Sequence, residues 1–243
     1  MSEKKKFAVF DIDGTIGRTS LYFQVVEELI NSGILSEDVR QELNTVYLPY
    51  RERAHKGAFR DVTNTFVEVF EKHMTSIEVS DFRAAVDRVI ERSSKHVYVF
   101  TRALIRKLKA EGYFLIALTG SEMYSAQKFT EQFEFDITVG EIYSESKGIF
   151  TGEVSRVFDK KDKYIKQFVS DHNLTYVDSY AVGDSMTDAP MLALVENPIA
   201  FNPEDRLFDT AKKNGWKIVV ERKNVIYELE SKDGSYILAE TDI

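Results

Sequence analysis

The sequence predicts an α/β fold in which a parallel sheet carries helices on both faces. Three observations favour it: an apolar segment at residues 7–10, a long stretch of helical periodicity after it, and an alternation of apolar segments and helices from residue 96 onwards. Strands that alternate with helices are typical of a parallel sheet. We also predict an all-helical insertion after the first strand and a β-hairpin at the C-terminus.

The composition suits one domain that contains an inserted subdomain. The chain has 243 residues, of which 43% are hydrophobic, and it has no cysteine. This excludes disulfides, thiolate metal sites and a cysteine nucleophile. The net charge of -8 opposes a nucleic-acid interface. No apolar segment approaches the ~20 residues that span a bilayer, and the polar N-terminus leaves no room for a signal segment. We therefore expect a cytoplasmic protein without a membrane partner.

Residues 17–95 have the periodicity of helices. Apolar side chains recur three or four positions apart from Leu21 to Ile30, and the pattern returns near residues 62–70 and 82–90. Roughly eighty residues is far more than a crossover between parallel strands needs. We predict a helical cap over residues 17–95, and a core made of residues 1–16 and 96–243.

The rest of the chain alternates between the two kinds of element. We predict strands at residues 113–118, 136–139, 179–182, 198–201 and 216–220, helices at residues 101–110, 122–133, 162–172 and 191–195, and hairpins at residues 142–157 and 225–240. Gly and Asp-Gly pairs at the boundaries favour turns there.

Polar motifs follow three of the predicted strands, and a fourth opens a helix. They are Asp11-Ile12-Asp13-Gly14-Thr15, Thr119-Gly120-Ser121, Lys160-Lys161-Asp162-Lys163 and Gly183-Asp184-Ser185-Met186-Thr187-Asp188. Each alone has an ordinary structural explanation: a turn, a helix cap or a solvated helix start. Together they lie where open α/β sheets bind ligands, outside the carboxyl ends of the strands. Asp11 and Asp13 are two residues apart, and a divalent cation would relieve their repulsion.

In this order, the four motifs resemble those of the haloacid dehalogenase superfamily, subfamily IB, the phosphoserine-phosphatase-like branch, over nearly the whole chain. The resemblance implies a Rossmann-like core, a C1-type helical cap and a Mg²⁺ cofactor. It implies a phosphatase that hydrolyses a small phosphorylated metabolite, a phosphate monoester, through an aspartyl-phosphate. Phosphomutases and phosphotransferases share this core, and a non-catalytic phosphate-binding regulatory protein is a further alternative.

Each motif then receives a role. Asp11 is the expected nucleophile and Asp13 the acid and base. The metal site implied by the family consists of Asp11, Asp184 and the main-chain carbonyl of Asp13, while Asp188 supports the metal's waters or the lysine. Thr119 and Gly120 offer a hydroxyl and a backbone N–H to the phosphate.

The lysine that contacts phosphate is a choice among Lys160, Lys161 and Lys163. We choose Lys161, because it precedes the apolar residue Ile165 by one helical turn, as the family's lysine does, with Lys163 as second choice.

The substrate itself is less sharply indicated. Residues 16–20 lack the acidic residue that phosphoserine phosphatases carry just after the first motif, which argues against phosphoserine. Asp13 argues against the dehalogenase subgroup, which has no aspartate at this position. Cap residues such as Arg18, Tyr22 and Tyr50 are candidates for contacts with an anionic substrate, although we expect most such residues to be solvated.

Overall fold

The computed structural model describes residues 4–223 and 225–239. Within these residues one nine-stranded sheet has the strand order β4-β3-β2-β1-β5-β6-β7-β8-β9. Its strands are β1 (Lys5–Phe10), β2 (Phe114–Glu122), β3 (Ile137–Ser146), β4 (Ile149–Ser155), β5 (Leu174–Gly183), β6 (Asn197–Phe201), β7 (Lys217–Arg222), β8 (Val225–Lys232) and β9 (Ser235–Leu238). The six strands from β3 to β7 in this order are parallel, and β4, β8 and β9 pair antiparallel.

Helices accompany the strands along the described part of the chain. They are α1 (Leu21–Asn31), α2 (Glu37–Glu52), α3 (Ala58–His73), α4 (Val79–Ser93), α5 (Val99–Ala110), α6 (Met123–Thr130), α7 (Lys161–Asp171), α8 (Ala189–Leu192) and α9 (Asp205–Asn214). None of the helices in residues 4–223 and 225–239 is long and apolar enough to cross a membrane.

Strand β1 lies at the centre of the sheet, between β2 and β5. Its side chains alternate between the two faces: Phe7 and Val9 join one hydrophobic cluster, and Ala8 and Phe10 join another. All four are fully buried, as expected of a parallel strand covered by helices on both sides. The predicted parallel sheet with two covered faces is confirmed.

Helices α1–α4 surround a third hydrophobic cluster of their own. This cluster also includes Tyr143 and Phe150 from the β3–β4 hairpin, and the ion pair from Arg156 to Glu71 (2.6 Å) ties the loop after β4 to α3. The division into a cap of residues 17–95 and a core of residues 1–16 and 96–243 remains a prediction; residues 1–3, 224 and 240–243 of that core lie outside the described residues.

Three elements differ from the sequence-based prediction. Strand β2 continues through Thr119–Gly120–Ser121, where we expected a loop, and its pairing with β3 shifts register between Leu118 and Glu122. Strand β3 passes without interruption from parallel pairing with β2 into the hairpin with β4. Helix α9 was not predicted; its sequence is mostly polar, and only its Leu207 and Ala211 are buried.

The C-terminal hairpin is part of the main sheet. β8 pairs with β7, so β8 and β9 extend the main sheet. The predicted strand at residues 235–240 ends at Leu238 among the described residues, and Glu240 lies outside them.

Candidate active site

The carboxyl ends of β1, β2 and β5 meet at one edge of the sheet. Asp11 follows β1 directly, and its backbone N–H donates to the carbonyl oxygen of Val182 in β5 at 3.0 Å. This bond continues the parallel ladder one residue beyond the strand, so the carboxyl group of Asp11 stands beside the end of β5. The Asp11 side chain is only 8% exposed.

A buried lysine holds this aspartate. Lys161, the first residue of α7, is 1% exposed, and its Nζ donates to Asp11 Oδ1 at 2.7 Å and to Asp188 Oδ1 at 2.6 Å. Burial alone lowers the pKa of Lys161, but the charges of Asp11 and Asp188 outweigh burial and raise it above its usual value. The ammonium group therefore stays charged. Of the other two candidates, Lys163 is exposed and Lys160 is half-buried.

Three carboxylates form a cluster around this lysine. One oxygen from each of Asp11, Asp184 and Asp188 lies within 4.8 Å of the others. Burial raises the pKa of Asp11 to about 7, although the Lys161 charge opposes it. Burial, and after it the negative charge of Asp11, raise the pKa of Asp184 well above its usual range. Without a further cation, ionising all three carboxyl groups would place more negative charge here than one ammonium balances.

Both carboxylate oxygens of Asp188 already accept hydrogen bonds from protein groups. Its Oδ2 accepts hydrogen bonds from the backbone N–H groups of Asp184 and Ser185, both at 3.0 Å, while its Oδ1 accepts from Lys161. It thus fixes the turn that presents Asp184 and orients the lysine, and its support of the metal's waters stays a prediction.

Gly14 lets the loop after β1 approach Asp184. Its φ is +77°, and a Cβ at this position would lie 2.1 Å from Asp184 Oδ2. Both the backbone conformation and the space therefore demand glycine. The motifs Asp11–Thr15 and Gly183–Asp188 are therefore in close contact at Gly14 and Asp184.

The acidic cluster suits a hard divalent cation. Its donors are carboxylate oxygens, the ligand type that Mg²⁺ prefers. They are buried, and their raised pKa values show that a positive charge is favourable at this place. The residues present therefore fit the predicted metal site at Asp11 and Asp184, with Asp188 beside them.

The carboxyl group of Asp13 has a different environment. Its Oδ1 accepts from the backbone N–H of Leu21 at 2.5 Å, and its Oδ2 accepts from Ser121 Oγ at 2.5 Å and from Thr119 Oγ1 at 3.3 Å. Burial raises the pKa of Asp13, and these three hydrogen bonds offset the effect only in part. All three donors are neutral, so Asp13 is oriented without a cation in hydrogen-bonding distance among the described residues.

The structure brings Thr119 and Gly120 to the same edge. Besides its bond to Asp13, the hydroxyl of Thr119 accepts from the backbone N–H of Ser121 at 3.1 Å. The phosphate contacts of Thr119, Gly120 and Lys161 remain predictions. No role was predicted for Ser121. The available signal was that Thr119 and Ser121 stand two residues apart and so share a side of an extended strand.

The side chain of Arg18 is hydrogen-bonded to residues of the core. Its guanidinium donates to the buried Glu221 in β7 at 2.7 Å and to the carbonyl oxygen of Val97 at 3.1 Å. The carboxylate of Glu221 also accepts from the backbone N–H of Phe100 at 2.9 Å. These contacts fix the chain where it leaves the core, and a contact of Arg18 with the substrate stays a prediction.

Comparisons with known proteins identify the family and the fold. The model of the haloacid dehalogenase-like hydrolase family matches residues 8–193, more than half of the chain. The chain is 22% identical over 222 residues to a histidinol-phosphatase from Neisseria meningitidis serogroup C (strain 8013), covering 88% of this chain and 98% of that protein. It is 23% identical over 215 residues to a phosphoserine phosphatase from Archaeoglobus fulgidus, covering 86% of this chain but 56% of that protein.

A solved structure shares the fold. It is described as a phospho-aspartyl intermediate analogue of phosphoserine phosphatase and superposes with a TM-score of 0.62 at 18% identity, covering 91% of this chain and 96% of that one.

Proposed function

The chain belongs to the haloacid dehalogenase-like hydrolase family, and we propose that it is a Mg²⁺-dependent phosphatase acting on a small-molecule phosphate monoester through an aspartyl-phosphate on Asp11. One observation carries the proposal: a buried lysine bridges Asp11 and Asp188 at the edge of the sheet where Asp184 also lies. Both curated relatives named above are phosphatases.

Asp11 is the nucleophile in this proposal. An Asp11 carboxylate oxygen forms a bond to phosphorus while the bond from phosphorus to the ester oxygen breaks, which divides one difficult displacement into two easier steps. The Lys161 contact fixes the carboxyl group and keeps a positive charge beside the transferring group, where negative charge develops. Thr119 and the backbone N–H of Gly120 bind phosphate oxygens from the neighbouring strand.

Asp13 moves the protons. It donates a proton to the departing ester oxygen, and then accepts one from the water that attacks phosphorus. That attack breaks the bond to Asp11 and releases inorganic phosphate. General acid–base catalysis of this kind is typically worth ~10²–10⁴-fold. The neutral donors around Asp13 support this role, because a cation in direct contact would favour the anion and hinder protonation.

Asp11, Asp184 and the main-chain carbonyl of Asp13 would hold Mg²⁺, with Asp188 supporting them. When bound, the cation supplies positive charge that reduces the repulsion between the Asp11 carboxylate and the phosphate.

The substrate class is a small phosphorylated metabolite. The two curated relatives are named for histidinol phosphate and phosphoserine, and the absence of an acidic residue in residues 16–20 argues against phosphoserine. The cytoplasmic location remains a prediction.

The experiment is a panel of phosphate monoesters with Mg²⁺, in which released inorganic phosphate is measured. We expect turnover of at least one ester by the wild type, a loss of about 10³-fold or more in Asp11→Asn, and wild-type turnover in the control Asp171→Asn, which changes an exposed aspartate. Turnover by Asp11→Asn at the wild-type rate would overturn the assignment of the nucleophile. Transfer of the phosphoryl group to an organic acceptor would indicate a phosphotransferase, and binding without turnover a regulatory protein.

A further inference from the structure

The segment Thr119–Gly120–Ser121 of β2 places a second hydroxyl against Asp13. β2 remains extended through these residues although its pairing with β3 is interrupted between Leu118 and Glu122. The side chains of Thr119 and Ser121 therefore share one side of the strand. Both hydroxyls donate to the same oxygen, Oδ2 of Asp13.

The two hydroxyls are not equivalent. Ser121 Oγ lies 2.5 Å from Oδ2, whereas Thr119 Oγ1 lies 3.3 Å away, near the limit of a hydrogen bond. Thr119 and Ser121 are both buried, so water competes for neither hydroxyl. Of the two hydroxyls, that of Ser121 is the closer to Oδ2.

The backbone of Ser121 is closely packed. Gly140 in β3 packs so closely that a Cβ there would lie 2.5 Å from the carbonyl oxygen of Ser121. On its other side, the N–H of Ser121 donates to the hydroxyl of Thr119 at 3.1 Å. The Ser121 side chain therefore projects from a backbone whose N–H is hydrogen-bonded and whose C=O lies close to Gly140.

In this arrangement the hydroxyls of Thr119 and Ser121 can have different roles. If Thr119 were the sole side-chain donor to Asp13, turning its hydroxyl toward a phosphate oxygen would leave Oδ2 without a side-chain partner. Because Ser121 holds Oδ2, the long Thr119 bond can be given up when phosphate binds. Leu21, at the start of α1, meanwhile holds Oδ1 through its backbone N–H.

We propose that Ser121 is a positioning residue for Asp13: it holds the carboxyl group in the orientation needed to protonate the leaving group. The inference rests on the proposed phosphatase function and names a residue that the family motifs did not assign. Ser121 acts through Asp13 and makes no contact with phosphate in this proposal. Its contribution should therefore depend on how much help the leaving group needs.

The test compares two esters that differ in leaving group. Dinitrophenyl phosphate has a good leaving group that departs without a proton, whereas glycerol phosphate releases an alkoxide that requires one. We expect Ser121→Ala to lower kcat/KM about 10- to 100-fold for glycerol phosphate, the effect of losing one hydrogen bond to a charged group, and less than about threefold for dinitrophenyl phosphate. Ser121→Cys keeps the side chain's size with a weak donor and should show the same split, which covers a failure of the alanine variant to fold.

Ser125→Ala is the matched control. Ser125 is as buried as Ser121 and its hydroxyl donates to Glu122, not to Asp13, so the ratio of the two rates should remain that of the wild type. Equal losses for both esters in the Ser121 variants, or no loss, would overturn the role of Ser121. Failure of the proposed function looks different, because the wild type itself would then hydrolyse neither ester.

Discussion

Replacing Lys161 by methionine tests whether the buried lysine holds the carboxylates together. Methionine keeps much of the length of the side chain but removes the charge and both hydrogen bonds, at 2.7 Å to Asp11 and 2.6 Å to Asp188. All three side chains are at least nine-tenths buried, so water cannot replace the lost partner. Removing one member of a buried ion pair costs about 3–5 kcal/mol.

The assay is thermal unfolding with EDTA present, so that no divalent cation takes the place of the ammonium. For a chain of this size 1 kcal/mol corresponds to about 2–4 °C in Tm, so the Tm of Lys161→Met should fall by about 6–20 °C. The control Lys163→Met removes an exposed lysine from the same helix and should change the free energy of unfolding by no more than about 0.5 kcal/mol. A Tm for Lys161→Met within about 2 °C of the wild type would refute the reasoning, because the carboxylates would then not depend on the lysine.

Three further predictions follow from the same contacts. Gly14→Ala should cost about 1–3 kcal/mol of stability and weaken Mg²⁺-dependent turnover by displacing Asp184. The control Gly33→Ala, with a similar φ of +73° but open space around it, should leave turnover unchanged. Equal turnover in the two variants would count against the contact between Gly14 and Asp184. Asp184→Asn should raise the Mg²⁺ concentration for half-maximal activity at least ~10-fold, and an unchanged titration would remove Asp184 from the metal site. The bond from Arg88 lowers the pKa of Glu28, so Glu28 adds stability above its unfolded pKa of about 4.3 and loses it as the pH falls through the lower folded pKa. Since Arg88 is about half exposed, Glu28→Gln should cost no more than about 1 kcal/mol at pH 7, and a Tm difference that persists at about pH 3 would contradict this.

The sequence identified the sheet edge because its signals there are local. An apolar segment that stops at an aspartate marks the end of a buried strand, and this holds for both Asp11 and Asp184. The choice of Lys161 rested on the resemblance to the family, whose lysine also lies one turn before an apolar residue; here that residue, Ile165, is fully buried.

Other features depend on contacts between distant residues, which no local pattern contains. Arg18 pairs with Glu221, which lies 203 positions further along the chain, so this ion pair could not be foreseen. Ser121 was hidden for a different reason. Thr-Gly-Ser is typical of a turn, yet here it stays extended as part of β2, with Gly140 of the neighbouring strand close to its backbone.

The central claim is that Asp11 becomes phosphorylated, and chemical trapping tests it most directly. In Asp13→Asn, the attack of water on the phosphorylated enzyme should be slow, so dinitrophenyl phosphate with Mg²⁺ should accumulate the acyl phosphate. Borohydride reduces an acyl phosphate on aspartate to the alcohol, homoserine, which peptide mapping locates in the sequence. We expect homoserine at position 11 and at no other aspartate. Homoserine at Asp184 or elsewhere, or release of phosphate with no trapped residue, would contradict the mechanism.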